Sequence, residues 1–311
     1  MKFALLHLAL LDGPIQRNLS KLIKATEMAA TAGAELVITP EMAVQGYRMS
    51  CTGNPFSLLP LPSSSFTLRS YRDCLKDVDT KASAERLRLL RRQYGLPEDA
   101  YNLSDGLVLD NLEHNENFLN PELVKPLQLI GKKYKLFLVV GCGTVCDNKT
   151  HNSAVVINPQ GEICAYHHKL KVMKGETEGW SSCSDSIQIS LLNSLKAGLL
   201  VCSDTWYEEN GAIYGMLGAE LMITIAAWPD AGCGGPPPEA WKRCSKASGG
   251  LPLIVCNQTG KFYMDCTEAE SALIAEGEII CSYKGDEAVL LGEYDQVTKK
   301  LVSKKFEVLY L

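Results

Sequence analysis

Short apolar runs, separated by Gly, Pro and charged residues, recur along most of the chain. The opening run KFALLHLAL is apolar except at Lys2 and His7, and no small-residue cleavage site follows it. We therefore interpret it as a buried strand rather than a signal peptide. Residues 16–32 place apolar side chains at helical spacing before Gly33, which predicts a helix that stops there. ELVITPEM then predicts a short strand that runs into a proline-bounded turn.

The pattern becomes regular after residue 120. Asn120 followed by Pro121 predicts a helix start, with Asn as the cap and Pro at the first helical position of PELVKPLQLIGKKY. The segments that follow read as strands in KLFLVVGCG, SAVVIN, GEICAYHHK, AGLLVCS, LMITIAAW and LPLIVCN, as helices in YEENGAIYGMLGAE and EAWKRCSKAS, and as hairpins in SALIAEGEIICSY and EAVLLGEYD.

This order of elements indicates an α/β fold with mixed sheets. Helices alternate with strands, yet some strands are joined by turns as short as Pro-Gln-Gly, which argues for two sheets with helices outside. The hairpins, and the absence of GxGxxG and GxxxxGK[ST] motifs, argue against a doubly wound nucleotide-binding fold. We predict a single domain over residues 1–311, with an insertion at about 48–120 and a C-terminal tail at about 294–311.

The insertion differs from the rest of the chain in its composition. It contains SLLPLPSSS, then a basic helix-like patch around Arg86–Arg92, then acidic and Asn-rich turns. The ordinary interpretation of the patch is a solvated helix face. The alternative is a lid whose Arg88, Arg91 and Arg92 meet an acidic group of a substrate.

Composition narrows the range of partners. The net charge is −5 and 22% of residues are charged, so the chain lacks the basic surface typical of proteins that bind nucleic acid or anionic membranes. No run approaches the roughly 20 apolar residues that a membrane span needs. With 46% hydrophobic residues the chain can bury a large core. We expect a small-molecule substrate, with no nucleic acid and no membrane as partner.

Twelve cysteines are present, and their spacing argues against a disulfide framework. None forms a CxxC pair, and several lie inside apolar strand-like runs such as LPLIVC and GEIIC. That pattern is typical of reduced, buried thiols in a cytoplasmic protein. Cys142, Cys146 and His151 lie close in sequence, but a fourth ligand is missing, so we expect no metal.

One of these cysteines lies where chemistry is favourable. AGLLVC is a strand-like run that stops at Cys202, and SDT after it supplies residues that cap helices. At a helix start the peptide dipoles and free N–H groups activate a thiol and can bind an oxyanion. The segment alone fits an inert strand thiol as well as a nucleophile.

A nucleophile needs a base, and two kinds are available. His167 or His168 could form a Cys–His pair. Alternatively, Glu41 and Lys169, each at the end of a predicted strand, could meet Cys202 where loops gather at one edge of a sheet.

Three of these segments, taken in order, resemble the nitrilase, or carbon–nitrogen hydrolase, superfamily. ELVITPEMAVQGY resembles the family's strand ending in Pro-Glu, YHHKLKVMKGE its lysine segment, and AGLLVCSDTWYEE its nucleophile segment. HNSAVVINPQGEI, GAELMITIAAW and IVCNQTG give weaker support. The resemblance covers residues 1–47 and about 121–293.

The resemblance implies a fold, an oligomer and a catalytic set. The fold is a four-layer α-β-β-α sandwich, paired into a homodimer or a higher homo-oligomer, with no cofactor. Cys202 would be the nucleophile, Glu41 the base and Lys169 the stabiliser of the tetrahedral anion, helped by the N–H of Ser203. Glu176 resembles a supporting glutamate, for which Glu178 is an alternative. Candidate pocket residues are Tyr47, Trp206 and Trp228.

Some segments depart from the family pattern. Trp206, Tyr207 and Glu208 replace an Arg-Phe-Pro run, and SKASG stands where Arg-Ala-x-Glu-Asn is frequent. The Cys-Ser-Asp-x-Trp segment is more similar to amidases than to nitrilases, so we expect hydrolysis of a small amide or carbamoyl compound. Nitrile hydrolysis, acyl transfer to an amine, and a catalytically silent binding or scaffold protein are the alternatives.

Overall fold

A computed structural model gives the architecture of most of the chain. It describes residues 1–46, 57–62, 69–78, 80–81, 119–172, 181, 184, 186–229, 236–261 and 264–311. The helices are α1 (Ile15–Thr31), α2 (Tyr71–Leu75), α3 (Lys125–Tyr134), a 3-10 helix (Cys202–Trp206), α4 (Glu208–Met216) and α5 (Pro237–Ala247). The strands are β1 (Lys2–His7), β2 (Leu36–Ile38), β3 (Leu59–Pro60), β4 (Arg69–Ser70), β5 (Phe137–Cys146), β6 (Lys149–Ile157), β7 (Ile163–His168), β8 (Ser186–Ile187), β9 (Ile189–Leu192), β10 (Leu195–Val201), β11 (Leu221–Ala226), β12 (Leu253–Asn257), β13 (Gly260–Lys261), β14 (Asp265–Cys266), β15 (Glu270–Ala275), β16 (Glu278–Lys284), β17 (Ala288–Asp295), β18 (Lys300–Leu301) and β19 (Glu307–Tyr310).

The first large sheet is mixed. Its strand order is β18-β17-β1-β2-β5-β6-β7, with β3 beside β5 and β19 beside β17. The strands β1, β2 and β5 run parallel, and β5, β6 and β7 continue as antiparallel neighbours joined by short turns. The parallel strands carry nearly continuous apolar runs because both faces of the sheet are covered.

The second large sheet has the order β16-β15-β12-β11-β10-β9. Its three central strands β10, β11 and β12 are parallel, and the outer strands pair with them antiparallel. Each sheet therefore has parallel strands at its centre, and the carboxyl ends of these strands lie at the same edge of the sheet. This edge carries the loops that form the candidate site.

Helices cover the outer face of each sheet, which makes four layers. In the first sheet the side chains alternate, so that Leu36 and Ile38 belong to the core between the sheets while Val37 faces α1 and α3. On the second sheet, α4 and α5 approach closely enough that a Cβ at Gly211 would lie 2.1 Å from the carbonyl oxygen of Cys244. The predicted four-layer α-β-β-α sandwich with mixed sheets is confirmed.

One sequence prediction about local structure was wrong. The helix predicted from Pro121 begins at Lys125, and Asn120 caps a preceding turn instead, where its side-chain oxygen accepts the N–H of Glu122 at 3.0 Å. After β10 the chain forms a 3-10 helix before α4, because Thr205 and Asp204 hydrogen-bond backbone groups within this turn.

The C-terminal tail adds strands to the first sheet. Two of its segments, β18 and β19, pair with β17 at the edge of that sheet. Most of the predicted insertion lies outside the described residues. Within the described ranges, no helix is both long and apolar enough to cross a membrane.

Candidate active site

Glu41 lies just beyond β2, where the first sheet meets the second. Thr39 and Pro40 lead from the strand, and Met42 after it has a left-handed backbone with φ of 52°. The turn packs directly against β5, since a Cβ added to Gly141 would lie 2.1 Å from the carbonyl oxygen of Pro40. Only glycine at that position lets the turn come so close, so β5 fixes where the Glu41 side chain begins.

The carboxylate of Glu41 is fully buried, and donors from three of the described residues hold it. Lys169 Nζ and Asn152 Nδ2 donate to Oε1 at 2.8 and 2.6 Å, and the Ala227 N–H donates to Oε2 at 2.9 Å. Asn152 comes from the first sheet and Ala227 from the loop after β11 in the second. The carboxylate thus joins both sheets, and donors of this kind stabilise its ionised form.

Lys169 follows the last residue of β7 and its side chain is fully buried. Its backbone N–H donates to the Asn152 carbonyl at 2.8 Å, which continues the strand pairing by one residue and places the side chain beside Glu41. Moving an ammonium out of water costs several kcal/mol, and the 2.8 Å contact with a carboxylate offsets part of this cost.

Cys202 lies at the end of β10 in a left-handed backbone conformation. Its φ is 47°, which a residue with a Cβ adopts at a cost of about 1–3 kcal/mol. Val201 pairs with Ile225 on the parallel strand β11, so Cys202 leaves its strand beside Ala226 and Ala227. Neighbouring strands are about 4.8 Å apart. The register therefore brings Cys202 to the loop whose N–H holds the Glu41 carboxylate.

Asp204 ties the Cys202 turn, the 3-10 helix of residues 202–206, to the lysine segment. Its Oδ1 accepts the N–H groups of Leu170 and Lys171 at 2.9 and 3.0 Å, and its Oδ2 accepts Val201 N–H at 3.0 Å. The side chain is fully buried. One carboxylate thereby fixes the chain that follows Lys169 against the chain that contains Cys202.

The two histidines beside Lys169 have other partners. His167 Nε2 lies 3.0 Å from Asp204 Oδ2, and His168 Nδ1 lies 2.7 Å from Ser153 Oγ. Burial lowers the pKa of His168 well below its usual value, with smaller contributions from the nearby His151 and His167 rings. These contacts favour Glu41 and Lys169 over the alternative Cys–His pair.

Aromatic residues cluster around the end of the Cys202 turn. The ring centroids of Trp206 and Trp228 are 5.9 Å apart, and Trp241 meets Trp228 edge to face at 6.4 Å. The Asn257 side chain holds the backbone of Trp228. Its Oδ1 accepts the backbone N–H of Trp228 at 2.8 Å, and its Nδ2 donates to the Trp228 carbonyl at 2.9 Å. Ser203 Oγ donates to the Lys171 carbonyl at 2.6 Å.

Several predicted residues lie outside the described ranges. These are Tyr47, Glu176, Glu178 and the basic patch Arg86–Arg92, whose assignments stay predictions. Within the described part of the chain, no group of three or more His, Cys, Asp or Glu side chains is arranged to hold a metal ion.

The fold and this site define a class of hydrolase. A family model described as carbon–nitrogen hydrolase matches residues 8–298. The chain therefore belongs to the carbon–nitrogen hydrolase family, as its motifs predicted.

Individual relatives are distant in sequence. N-carbamoylputrescine amidase of Solanum lycopersicum is 24% identical over 263 residues, which are 75% of this chain and 86% of the relative. The amidase from Nesterenkonia sp. AN1 shares the fold with a TM-score of 0.65 at 16% identity, over 96% of this chain and 94% of its own. Nit3 of Saccharomyces cerevisiae, a nitrilase superfamily member, has a TM-score of 0.66 at 15% identity, covering 96% and 91%. At these identities the solved structures establish the fold alone.

Sequence reasoning missed the residues that hold the site together. Asn152 and Asp204 both lay within motifs that pointed to the family, but neither was assigned a role. Asn152 stands in the polar stretch KTHNS and Asp204 in SDT, so neither interrupts an apolar run and neither gave a signal of its own. The Ala227 N–H carries no side-chain signal, so only the register of β10 and β11 reveals it.

Proposed function

We propose that this protein is a thiol amidase that hydrolyses a small amide or carbamoyl compound. The observation that carries the proposal is the fully buried Glu41–Lys169 pair, whose carboxylate is also bonded to the loop beside Cys202. A buried ion pair is a costly way to stabilise a fold. A catalytic role explains why this pair lies where two strand-end loops meet.

The reaction begins with activation of the thiol. Glu41 takes the Cys202 proton, and the sulfur attacks the carbonyl carbon of the substrate, forming a C–S bond and a tetrahedral anion. The Lys169 ammonium and the backbone N–H of Ser203 stabilise that anion. When the anion collapses, the C–N bond breaks and the departing nitrogen takes the proton held by Glu41.

Water completes the cycle. Glu41, again a carboxylate, accepts a proton from a water molecule that attacks the thioester carbon. The second tetrahedral anion collapses with cleavage of the C–S bond, the proton returns to sulfur, and the acid leaves. Both halves need one group that alternately accepts and donates a proton. The fixed carboxylate of Glu41 suits this role.

Two further observations favour an amide over a nitrile. The nucleophile segment Cys-Ser-Asp-x-Trp is amidase-like. Relatives named above include amidases from plant and bacterium. Trp206 and Trp228 would supply apolar walls for a small substrate, joined by Tyr47, with Glu176 as a supporting carboxylate. The described cysteines form no disulfide with one another, which fits a reducing, cytoplasmic location.

The test is ammonia release from a panel of amides, carbamoyl compounds and nitriles. We expect turnover of at least one amide or carbamoyl compound, and an acyl adduct on Cys202 that the Cys202→Ala variant lacks. Product analysis with added hydroxylamine separates hydrolysis from acyl transfer, because a transferase gives mainly the hydroxamate. A catalytically silent protein would give neither ammonia nor an adduct with any compound, and that result would refute the proposal.

A further inference from the structure

A described part of the predicted insertion packs behind the Cys202 turn. Its strand β4 pairs antiparallel with β8, and helix α2 follows directly. Tyr71, the first residue of α2, is 4% exposed, and its hydroxyl donates to Asn210 Oδ1 at 2.7 Å. Burial raises the pKa of Tyr71, with further contributions from Glu209 and Asp204, so the hydroxyl stays protonated and donates.

Asn210 passes this contact on to the Cys202 turn. It lies on α4 and is fully buried, and its Nδ2 donates to the Asp204 carbonyl at 2.8 Å. Asp204 is two residues after Cys202. The amide of Asn210 is therefore used at both ends, and its orientation depends on receiving the Tyr71 hydroxyl on its oxygen side.

Tyr71 also contacts the lysine segment. The Lys171 ammonium lies 5.2 Å from the ring centroid of Tyr71 and 5.2 Å from that of Tyr207, between the insertion and the end of the Cys202 turn. Lys171 is two residues after Lys169, and its carbonyl accepts the Ser203 hydroxyl at 2.6 Å. One tyrosine thus contacts the chain on both sides of the candidate active site.

We propose that Tyr71 is a positioning residue, through which the insertion holds the Cys202 turn in register with Lys169. The proposal rests on the proposed function, because it concerns the reactivity of Cys202 and Lys169. We assign the positioning role to the hydroxyl, which donates to Asn210. Phenylalanine keeps the packing of the ring and loses this bond, so it separates the two roles.

The test compares Tyr71→Phe with Tyr294→Phe. Both variants remove one hydroxyl from a buried tyrosine. Tyr294 lies on β17, which carries no site residue, and its hydroxyl donates to the Glu220 carbonyl at 3.0 Å. We expect Tyr71→Phe to lower kcat about tenfold at unchanged KM. Misplacing a reacting group by about 1 Å costs about a hundredfold, and the loss of one hydroxyl should move the Cys202 turn by less than that. Tyr294→Phe should keep the kcat of the parent protein.

A second readout does not require turnover. The rate at which iodoacetamide alkylates Cys202, followed against pH, reports the environment of the thiol. We expect Tyr71→Phe to shift the midpoint of this profile, and Tyr294→Phe to leave it in place. Asn210→Ala should shift it too, and adding Tyr71→Phe to Asn210→Ala should change little more, because both act through the same contact.

Each result decides the matter. If Tyr71→Phe leaves kcat and the alkylation profile at parent values, or changes them no more than Tyr294→Phe does, the positioning role is refuted. Additive effects of Tyr71→Phe and Asn210→Ala would refute the route through Asn210. If the parent protein turns over no amide yet Tyr71→Phe shifts the alkylation profile, the proposed function fails and the positioning role stands.

Discussion

The ammonium of Lys169 lies 2.8 Å from Glu41 Oε1, and neither side chain is exposed to solvent. These two residues are 128 positions apart in sequence, and they follow strands β2 and β7, which lie at different places in one sheet. The burial of this pair differs from that of the surface ion pairs among the described residues. Surface pairs such as Lys284–Glu268, at 2.7 Å, have side chains that are 40% and 66% exposed.

Glu41→Gln should therefore be costly to both stability and activity. It breaks the buried ion pair with Lys169, and breaking such a pair costs about 3–5 kcal/mol in the free energy of unfolding. Turnover should fall by a factor of about 10²–10⁴ through loss of the base. The measurements are urea unfolding and ammonia release. The control is Glu268→Gln, which breaks an exposed pair worth about 0–1 kcal/mol, and equal losses for both variants would contradict the prediction.

The left-handed backbone at Cys202 gives a second prediction. Glycine normally destabilises a fold by about 0.5–1 kcal/mol relative to alanine, but at a positive φ the order reverses by about 1–2 kcal/mol. Cys202→Gly should thus be more stable than Cys202→Ala, while both lack activity. At Cys142, which lies within β5 and outside the positive-φ residues, Cys→Gly should be less stable than Cys→Ala. The same order at both cysteines in urea unfolding would refute the strain at Cys202.

His7 predicts how stability depends on acid. Burial is the main cause that lowers its pKa from 6.5 to about 4, and its Nδ1 lies 2.9 Å from Ser271 Oγ. Below about pH 6.5 the unfolded chain binds a proton that the folded protein refuses, so the free energy of unfolding falls as pH falls. The loss is about 1.4 kcal/mol per pH unit down to about pH 4, where it levels off at about 3 kcal/mol.

His7→Gln removes the titration of His7 and leaves the other buried histidines in place. The difference in the free energy of unfolding between parent and variant should therefore change between about pH 6.5 and pH 4 and stay constant above pH 7. Urea titrations at half-unit steps measure it. A difference that stays constant across the whole range would show that His7 does not carry the acid dependence.

Thiol reactivity should separate Cys202 from the other described cysteines. Burial raises the pKa of Cys142 to about 12, and burial with nearby acidic charges does the same for Cys244 and Cys266. At pH 8 such thiols are almost entirely protonated and unreactive. Iodoacetamide, itself a small amide, should alkylate Cys202 before Cys142, Cys244 and Cys266 in the folded protein, as peptide mass spectrometry can resolve. Equal labelling of Cys142 would contradict this prediction.

The extent to which sequence predicts this site follows from how each part is built. Glu41 and Cys202 end apolar strands, and an acidic residue or thiol at that place is visible in the chain itself. Their partners are visible only in space, because the Ala227 N–H is a backbone group and Asn152 looks like any strand asparagine. The Tyr71 contact was out of reach, since the insertion has no periodic pattern that fixes where it packs.

Helix boundaries show the same limit. Asn120 and Pro121 carry the residues of a helix start, yet the helix begins at Lys125. The predicted cap forms, with Asn120 accepting the Glu122 N–H, but it closes a turn rather than the helix. Local chemistry was recognised correctly, but residues 121–124 form turns, and the proline near the start of the observed helix is Pro126 rather than Pro121.

Gly141 tests whether β5 positions Glu41. An added Cβ would lie 2.1 Å from the Pro40 carbonyl oxygen and 2.9 Å from Glu41 Cα, so Gly141→Ala must push the turn away. We expect a loss of about 1–3 kcal/mol in the free energy of unfolding. Turnover should fall about a hundredfold, because the carboxylate moves with its turn.

The matched variant is Gly131→Ala in helix α3. There the nearest atom to an added Cβ is Leu138 Cδ1 at 3.4 Å, an ordinary contact, and the residue lies within a helix. Alanine should stabilise that helix by about 0.5–1 kcal/mol and leave turnover unchanged. Urea unfolding and ammonia release on both variants separate the two positions. If Gly141→Ala keeps full turnover while losing stability, the close approach of β5 supports the fold without setting the position of the Glu41 carboxylate.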